Sequence, residues 1–173
     1  MGQGVWDVVE ATLQQGLGFE EFYRQERPGI LRSVTFTVRD PDLALEVTDE
    51  AFARACERWG ELDAAGNRPG WVYRVAINLA RNRWRRLSLE RRKPPASPEP
   101  SWMAECADPA LARALEQLPL DQRAVVVLRY HLDWSVDDVA AALDIAPGTV
   151  KSRLHRALRR LAAQLADPTE AQP

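Results

Sequence analysis

The stretch WSVDDVAAALDIAPGTVKSRLHRALRRL, residues 134–161, has the pattern of two short helices joined by a tight turn. Ser135 is a favoured N-cap residue, and Asp138 stands three positions later, where a capping box places its acidic partner. Pro147 follows the turn, at a position of a new helix where its missing N–H is not needed. The i, i+3, i+4, i+7 spacing of a buried face on the first helix is met by Val136, Val139, Ala140 and Leu143. We therefore predict a helix pair whose second helix starts at Pro147.

The second helix of this pair has one apolar and one polar stripe. The apolar stripe consists of Val150, Leu154, Ala157, Leu158 and Leu161. The polar stripe consists of Lys151, Ser152, His155, Arg156 and Arg159, which can donate hydrogen bonds to base edges and phosphates. Because this set starts at the helix N-terminus, where a recognition helix meets the major groove, we predict binding to duplex DNA. A solvated surface helix also carries Lys and Arg, so that alternative stays open for the segment taken alone.

A second basic helix is predicted by the segment PGWVYRVAINLARNRWRR, residues 69–86. Its core stripe is Val72, Val75, Ala76 and Leu79, and another face carries Trp71, Arg74, Asn78, Arg81 and Arg85. Aromatic rings interleaved with arginines suit a partly unpaired DNA strand, since bases stack on rings while guanidinium groups follow phosphates. The alternative is a solvated charged helix with Trp71 and Trp84 packed inward.

The charge distribution supports two separate contacts with a polyanion. The net charge of −2 is the sum of four segments with alternating net charge: −6 for residues 1–73, +7 for 74–93, −5 for 94–143 and +2 for 144–173. Two basic segments separated by acidic ones indicate two local nucleic-acid contacts, although the average is slightly acidic. The acidic remainder is either a surface for a protein partner or solvated surface.

The apolar spacing is helical nearly everywhere, so the predicted fold class is all-α. Residues 19–37 indicate a helix pair, or a helix broken at Pro28-Gly29. In the next helix Asp40 is the cap, Pro41 is the first helical residue, and the apolar stripe is Leu43, Val47, Phe52 and Cys56. Residues 60–70 are predicted to form a loop, and a third helix runs from Trp71 to about Arg92.

A proline-rich segment divides the chain into two predicted helical domains. Residues 94–109 contain five of the twelve prolines and no helical periodicity, which is typical of a linker. Two helices divided by Pro119 follow, and with the opening pair they make four. With 173 residues, 46% of them hydrophobic, the chain can form one ordinary domain or two small helical ones, and it is too short for a large enzyme with insertions.

Several functional classes receive no support from the sequence. No run of about 18 apolar residues and no signal peptide occurs, so we expect a cytoplasmic protein without membrane insertion. Cys56, expected to be buried, and Cys106 lack metal or disulfide spacing, and both histidines lack ligand neighbours. Without a Gly-rich phosphate loop or a converging nucleophile and base, no catalytic site, metal or cofactor is expected.

A stand-alone transcriptional regulator is the remaining alternative for a DNA-binding chain of this kind. Such a regulator needs an N-terminal domain of parallel strands, whereas the N-terminal half here has a helical pattern.

Three segments, in this order, resemble the extracytoplasmic-function (ECF) sigma factors of bacterial RNA polymerase. DLALEVTDEAFARACERW, residues 42–59, resembles the helix that this family docks on the polymerase β′ clamp helices. WVYRVAINLARNRWRR, residues 71–86, is similar to the family's −10 helix, and residues 118–161 are similar to its −35-binding domain. The usual acidic-Leu-Val-Gln-Glu run of the clamp-binding helix appears here as Glu46-Val47-Thr48-Asp49-Glu50, so that Asp49 replaces the amide.

The resemblance implies a division of the chain and a role for each part. Residues 1–18 form an N-terminal extension, 19–93 sigma region 2, 94–108 the linker and 109–166 sigma region 4 with its helix-turn-helix. The implied −35 contacts are Thr149, Lys151, Ser152, Arg153, His155, Arg156 and Arg159, with Arg153 on phosphate. The implied −10 contacts are Trp71, Arg74, Asn78, Arg81 and Arg85, below a base-binding loop at residues 60–70. The implied polymerase contacts are Glu46, Asp49, Glu50 and Phe52.

The implied partners are RNA polymerase core, through the β′ clamp helices and β, and promoter DNA, both duplex and melted. An anti-sigma protein is a further expected partner, because members of this family are commonly silenced by one. No small-molecule substrate is expected.

Overall fold

The described parts of the chain are built from helices. The structure, a computed structural model, describes residues 3–62, 66–89 and 108–166, with side chains given from residue 18 onward except at 87–89. Eight helices lie in these ranges: α1 Gln3–Val38, α2 Pro41–Glu57, α3 Trp59–Leu62, α4 Arg68–Leu89, α5 Pro109–Glu116, α6 Leu120–Tyr130, α7 Val136–Leu143 and α8 Pro147–Ala166. No strand occurs in them, which confirms the all-α prediction.

We call α1–α4 the N-terminal half and α5–α8 the C-terminal half. The predicted linker, except for Asp108, lies outside the described residues, as do 90–93 at the predicted end of the third helix. Asp108 caps α5, where its carboxylate accepts from the backbone N–H of Ala110 at 2.8 Å. The domain boundaries at 18, 93 and 108 remain predictions.

The starts of the helices follow the capping signals in the sequence. The Asp40 carboxylate accepts from the Leu43 N–H at 3.0 Å, and Pro41 is the first residue of α2. The capping box at α7 is confirmed: the Asp138 N–H donates to the Ser135 hydroxyl, while the Ser135 N–H donates to the Asp138 carboxylate, both at 3.1 Å. α8 begins at Pro147, as predicted.

Two expectations about element boundaries are wrong. α1 continues through Pro28 and Gly29, because Ile30 and Val34 are buried beyond the proline and their packing outweighs one missing backbone hydrogen bond. The predicted loop at 60–70 is also shorter, since α3 extends to Leu62 and α4 begins at Arg68. Residues 63–65, at the centre of that loop, lie outside the described residues.

Two residues assigned to apolar stripes lie on the surface instead. Cys56 is exposed, and the position that faces the core in this turn of α2 is Ala55, which is fully buried. Leu158 of α8 is 42% exposed, while its neighbour Ala157 is buried. In both helices the alanine faces the core, and the larger side chain next to it in the sequence is exposed.

The two halves share one hydrophobic core. Buried residues of the N-terminal half, among them Ile30, Val34, Phe52 and Ile77, belong to the same cluster as Val125, Leu128 and Val139 of the C-terminal half. α4 packs on α7, and α1 packs on α6. A smaller cluster of Ala114, Leu118, Val126, Ala157 and Leu161 lies within the C-terminal half. The four helices of the C-terminal half therefore pack both on one another and on the N-terminal half.

A buried arginine links the two halves. Arg123 of α6 is 3% exposed, and its Nε donates to the backbone carbonyl of Thr37 in α1 at 2.7 Å. Its Nη1 donates to the carbonyls of Leu115, Glu116 and Leu118 at 3.2 Å, where α5 ends. Burial, aided by the nearby charge of Arg39, lowers the pKa of Arg123 to about 10, so the side chain remains protonated at neutral pH.

Candidate nucleic-acid interface

The polar stripe predicted on α8 is accessible along most of its length. Lys151, His155, Arg156 and Arg159 are all exposed. Ser152 and Thr149 are partly buried at the start of the helix, where the Ser152 hydroxyl donates to the Thr149 carbonyl at 3.0 Å. The exposed side chains can donate to base edges or phosphates in a groove, and they lie along the N-terminal two thirds of the helix.

Arg153 points away from this stripe. Its guanidinium lies 3.3 Å from the carboxylate of Asp121 in α6, and its side chain is 25% exposed. The structure therefore separates Arg153 from the other residues assigned to the −35 contact and places it beside α4.

The basic face predicted on α4 is divided between solvent and the C-terminal half. Asn78 and Arg85 are exposed. The Arg74 guanidinium lies 3.2 Å from the carboxylate of Asp144, which follows α7, and Arg81 forms an ion pair with Asp121. These two arginines are thus held by carboxylates of the other half. Sequence reasoning missed both aspartates, because nothing local shows which cation an exposed carboxylate will meet.

Trp71 and Trp84 are partly buried and pack against the core, as the alternative for this helix predicted. Trp71 lies in the first turn of α4, where its N–H donates to the carbonyl of Asn67. The Asn67 side chain accepts from the N–H of Gly70 at 2.8 Å and so caps the helix. The arginines of α4 are therefore presented by a helix whose start is fixed by both a cap and an aromatic contact.

A cation–π contact that sequence reasoning missed lies next to the predicted base-binding loop. The Arg68 guanidinium lies over the ring of Trp59, 4.1 Å from the centroid. Trp59 is 7% exposed and is packed between the rings of Phe19 and Phe22. Trp59 is the first residue of α3 and Arg68 is the first residue of α4, so the contact joins the two helices on either side of the loop.

The acidic residues assigned to polymerase binding form one charged face of α2. Glu46 pairs with Arg83 of α4 at 2.8 Å, Asp49 with Arg27 of α1 at 2.8 Å, and Glu50 with Arg54 at 2.8 Å. All three carboxylates are about half exposed in these pairs, so a partner can still reach them. Ion pairs this exposed contribute little to stability.

Phe52 does not belong to that surface. It is 1% exposed and packs in the core against the rings of Phe22 and Tyr23, with centroid distances of 5.8 and 5.1 Å. The assignment of Phe52 as a direct polymerase contact is therefore wrong for this conformation. The spacing of α2 places it on the face that carries Val47 and Ala55, opposite the carboxylates.

Neither a grouped set of metal-ligating side chains nor a membrane-spanning helix is found in the described residues. Within residues 18–62, 66–86 and 108–166, no three His, Cys, Asp or Glu side chains are grouped as a metal site requires. None of the helices seen in the described ranges combines the length and apolar character needed to cross a bilayer.

Comparisons with known proteins match both halves. The family model for Sigma-70 region 2 matches residues 22–90, and that for Sigma-70, region 4, matches residues 109–161. The chain is 39% identical over 153 residues to the RNA polymerase sigma-E factor of Streptomyces coelicolor, with 86% of each chain covered. It is 31% identical over 151 residues to the ECF RNA polymerase sigma factor SigM of Mycobacterium tuberculosis, with 85% of this chain and 76% of that one covered.

Solved structures share the fold at lower identity. The sigma factor RpoE from Bartonella quintana, in complex with the anti-sigma factor NepR, matches with a TM-score of 0.73 at 21% identity. That match covers 87% of this chain and 98% of the other. CnrH, in complex with the cytosolic domain of CnrY, matches with a TM-score of 0.61 at 22% identity, over 87% of this chain and 89% of that one.

Proposed function

This chain belongs to the sigma-70 family as an extracytoplasmic-function (ECF) sigma factor of RNA polymerase, and we propose how its surfaces divide the work of promoter binding. The exposed stripe of α8 binds the duplex −35 element, the basic face of α4 binds the −10 strand as it opens, and the acidic face of α2 binds polymerase core. The observation that carries this proposal is the row of four exposed donors on α8, the second helix of a helix-turn-helix.

The domain organisation is part of the proposal. Residues 19–93 form region 2, residues 94–108 the linker and residues 109–166 region 4, with residues 1–18 as an extension. α1 begins in the extension and continues into the first domain, which also holds α2–α4, and α5–α8 fall in the second domain. A chain so divided can hold both promoter elements only if region 4 reaches a second site on the DNA while region 2 stays on the polymerase.

The −35 contact consists of base and phosphate contacts. Lys151 and Arg159 flank the exposed stripe and suit phosphates, whereas His155 and Arg156 lie at its centre and suit base edges. Thr149 and Ser152, at the start of the helix, complete the set, and their hydroxyls suit the DNA backbone. Arg153 has a different role in the free chain, because its guanidinium is held by Asp121.

We expect Arg156→Ala to weaken initiation from a −35-dependent promoter by about 1–3 kcal/mol, or about fivefold to 150-fold, because a bidentate contact with a base is lost. In vitro transcription with core polymerase measures this effect. The control is Arg113→Ala, which removes an exposed arginine from α5, away from the stripe. Equal transcription by the wild type and Arg156→Ala, on a promoter that the −35 sequence controls, would remove Arg156 from base recognition.

The −10 contact is an aromatic and basic face at which the strand is captured after it leaves the duplex. Removing a base from the stack costs a few kcal/mol, so donors already in place favour strand opening. Arg74, Asn78, Arg81 and Arg85 follow one another along α4, and Trp71 supports the first turn of that helix. The polymerase performs the catalysis, and the sigma factor contributes binding alone.

We expect Asn78→Ala combined with Arg85→Ala to reduce the number of open complexes roughly tenfold, because the strand loses two contacts. Permanganate reactivity of unpaired thymines in the −10 element measures opening. The matched control is Arg24→Ala with Gln25→Ala, an exposed arginine and amide on α1. Core binding should be the same in both double variants, and undiminished permanganate reactivity in the first would exclude these residues from the −10 contact.

The remaining partners follow from the surfaces. Glu46, Asp49 and Glu50 bind the β′ clamp helices by exchanging their present arginine partners for polymerase cations, and region 4 contacts β. An anti-sigma protein binds the same acidic and apolar surfaces and so competes with polymerase. The protein acts in the cytoplasm, at the nucleoid.

Transcription from a promoter library with core polymerase and this chain tests the whole proposal, because promoter-specific RNA must depend on the added chain.

A further inference from the structure

Two large hydrophobic side chains lie exposed beside the acidic face of α2. Tyr23 of α1 is 36% exposed and Leu45 of α2 is 44% exposed. The other large hydrophobic side chains that the structure describes in the N-terminal half are buried or partly buried. A single exposed leucine is common on protein surfaces, so what matters is where these two side chains lie.

Both side chains belong to one continuous strip that crosses α1 and α2. Leu45 precedes Asp49 by four residues, which places the two side by side on α2. Arg27 of α1 donates to the Asp49 carboxylate from Nε at 3.0 Å and from Nη2 at 2.8 Å. The same guanidinium lies over the ring of Tyr23, 5.7 Å from the centroid. We call Leu45, Asp49, Arg27 and Tyr23 the α1–α2 strip.

The strip is held in place by the fold. The ring of Tyr23 packs against the rings of Phe19 and Phe52, with centroid distances of 6.1 and 5.1 Å. Arg27 is fixed between Asp49 and the ring of Tyr23. A partner that binds the strip therefore meets side chains that are already ordered, which reduces the entropy lost on binding.

The carboxylates of α2 do not supply tight binding by themselves. Glu46, Asp49 and Glu50 already have arginine partners, so a cation of the polymerase replaces a partner in each case. Exchange between ion pairs this exposed changes the free energy little. Complementary charge mainly raises the association rate, whereas buried apolar side chains carry much of the binding energy of an interface. Tight binding then requires apolar surface next to the carboxylates.

We propose that Tyr23 and Leu45 are the apolar anchors of the contact with RNA polymerase core, one at each end of the α1–α2 strip. The inference rests on the proposed function of the acidic face of α2. The contact then extends from α2 onto α1 and is continuous across the Arg27 and Asp49 pair. The carboxylates orient the two proteins, and the anchors keep them together.

The test measures association and dissociation rates of the full chain with core polymerase by biolayer interferometry. Glutamine in Leu45→Gln has a similar length and a good helix propensity, so this variant should fold as the wild type does. We expect Leu45→Gln and Tyr23→Ser each to dissociate about tenfold faster, at both about 0.1 M and about 0.5 M salt, because salt does not screen apolar burial. Glu46→Gln should instead associate more slowly, and mainly at the lower salt concentration.

The matched control is Tyr130→Ser in α6. Tyr130 is 59% exposed, Arg129 lies over its ring at 5.8 Å, and Arg129 pairs with Asp133 at 3.2 Å. The control thus removes a tyrosine with the same kinds of neighbour as Tyr23, and its dissociation rate should equal that of the wild type. Thermal unfolding shows whether each variant is folded, and if Tyr23→Ser is unstable, Leu45→Gln decides the test.

A folded Leu45→Gln protein that dissociates at the wild-type rate would overturn the proposal. Equal acceleration by Tyr130→Ser would overturn it as well, since any exposed aromatic ring would then have the same effect. Failure of the proposed function has a different pattern: Glu46→Gln would then associate at the wild-type rate together with Leu45→Gln. If the inference alone fails, Glu46→Gln is impaired and Leu45→Gln is not.

Discussion

Replacing Arg123 with methionine is expected to lower the free energy of unfolding by about 3–5 kcal/mol, because a buried cation that serves four backbone carbonyls is lost. Thr37 loses its donor at the end of α1, and Glu116 and Leu118 lose theirs at the end of α5, while the Leu115 carbonyl still accepts from the Leu118 N–H. Methionine retains most of the apolar volume, so the change isolates the hydrogen bonds from the packing. Urea denaturation followed by far-UV circular dichroism measures the loss.

The pKa of Arg123 indicates why the loss is not larger. Burial lowers this pKa to about 10, so the unfolded chain binds the proton more tightly than the folded chain does, and the shift itself opposes folding below pH 10. Removing the arginine relieves this cost together with the hydrogen bonds. Since the side chain stays protonated in both states near neutral pH, the destabilisation should be the same at pH 6 and pH 8. A strong difference between these two values would contradict the assignment.

Two further variants separate the roles of this network. Arg123→Lys keeps the charge but lacks the planar fork, so it should recover only part of the lost stability. Tyr73→Phe removes a hydroxyl that meets the Thr37 hydroxyl at 2.7 Å, yet Thr37 still donates to the Ser33 carbonyl. We therefore expect Tyr73→Phe to cost about 1 kcal/mol of folding free energy, the net value of one neutral hydrogen bond.

For Arg123→Met, a loss below about 1 kcal/mol would show that other donors satisfy the carbonyls that Arg123 serves in the wild type.

The helix starts could be predicted because their signals are local. Ser135 and Asp138 bond to each other across three residues, and Asp40 bonds within the first turn that Pro41 opens. Such contacts depend on neighbouring positions alone and need no knowledge of the fold. The interruption expected at Pro28 was also a local inference, and it failed because the packing of Ile30 and Val34 outweighs the local penalty.

The contact between the halves could not be predicted, because its partners are distant in the sequence. Arg123 lies 86 residues from Thr37, and Arg81 lies 40 residues from Asp121. In the sequence Arg123 stands between Asp121-Gln122 and the apolar run 124–128, and nothing there indicates that its partners are backbone carbonyls of α1 and α5. The exposed stripe of α8 was predicted better, since the donors share one helix and its periodicity places them on one face.

The errors within predicted helices are shifts of one position around the axis. Cys56 and Ala55 are adjacent, and both fit an apolar stripe on α2 within the width that sequence spacing allows. Neighbouring residues lie about 100° apart around the helix axis, so only one of the two can face the core, and the spacing alone does not say which. The same holds on α8 for Leu158, which is exposed, and Ala157, which is buried.

Replacing Phe52 with alanine is expected to destabilise the N-terminal half by about 3–5 kcal/mol, the usual cost of a cavity where a buried phenylalanine stood. Phe52 is 1% exposed and contacts the rings of Phe22 and Tyr23, which lose their partner. Thermal unfolding measures this effect, and binding to core polymerase should fall only as far as the folded fraction falls. Phe52→Leu, which refills most of the volume, should restore both.

The comparison with Glu46→Gln decides between a packing role and a contact role. Glu46 is about half exposed and pairs with Arg83, so its replacement should leave the thermal unfolding temperature almost unchanged. If the carboxylate binds the polymerase, core affinity falls in Glu46→Gln without any loss of stability, the reverse of the pattern in Phe52→Ala, which loses stability but still binds core when folded. Weak core binding by a fully folded Phe52→Leu protein would instead require the phenyl ring to meet the polymerase directly. α2 would then have to turn its buried face outward on binding, and the core that joins the two halves would have to open with it.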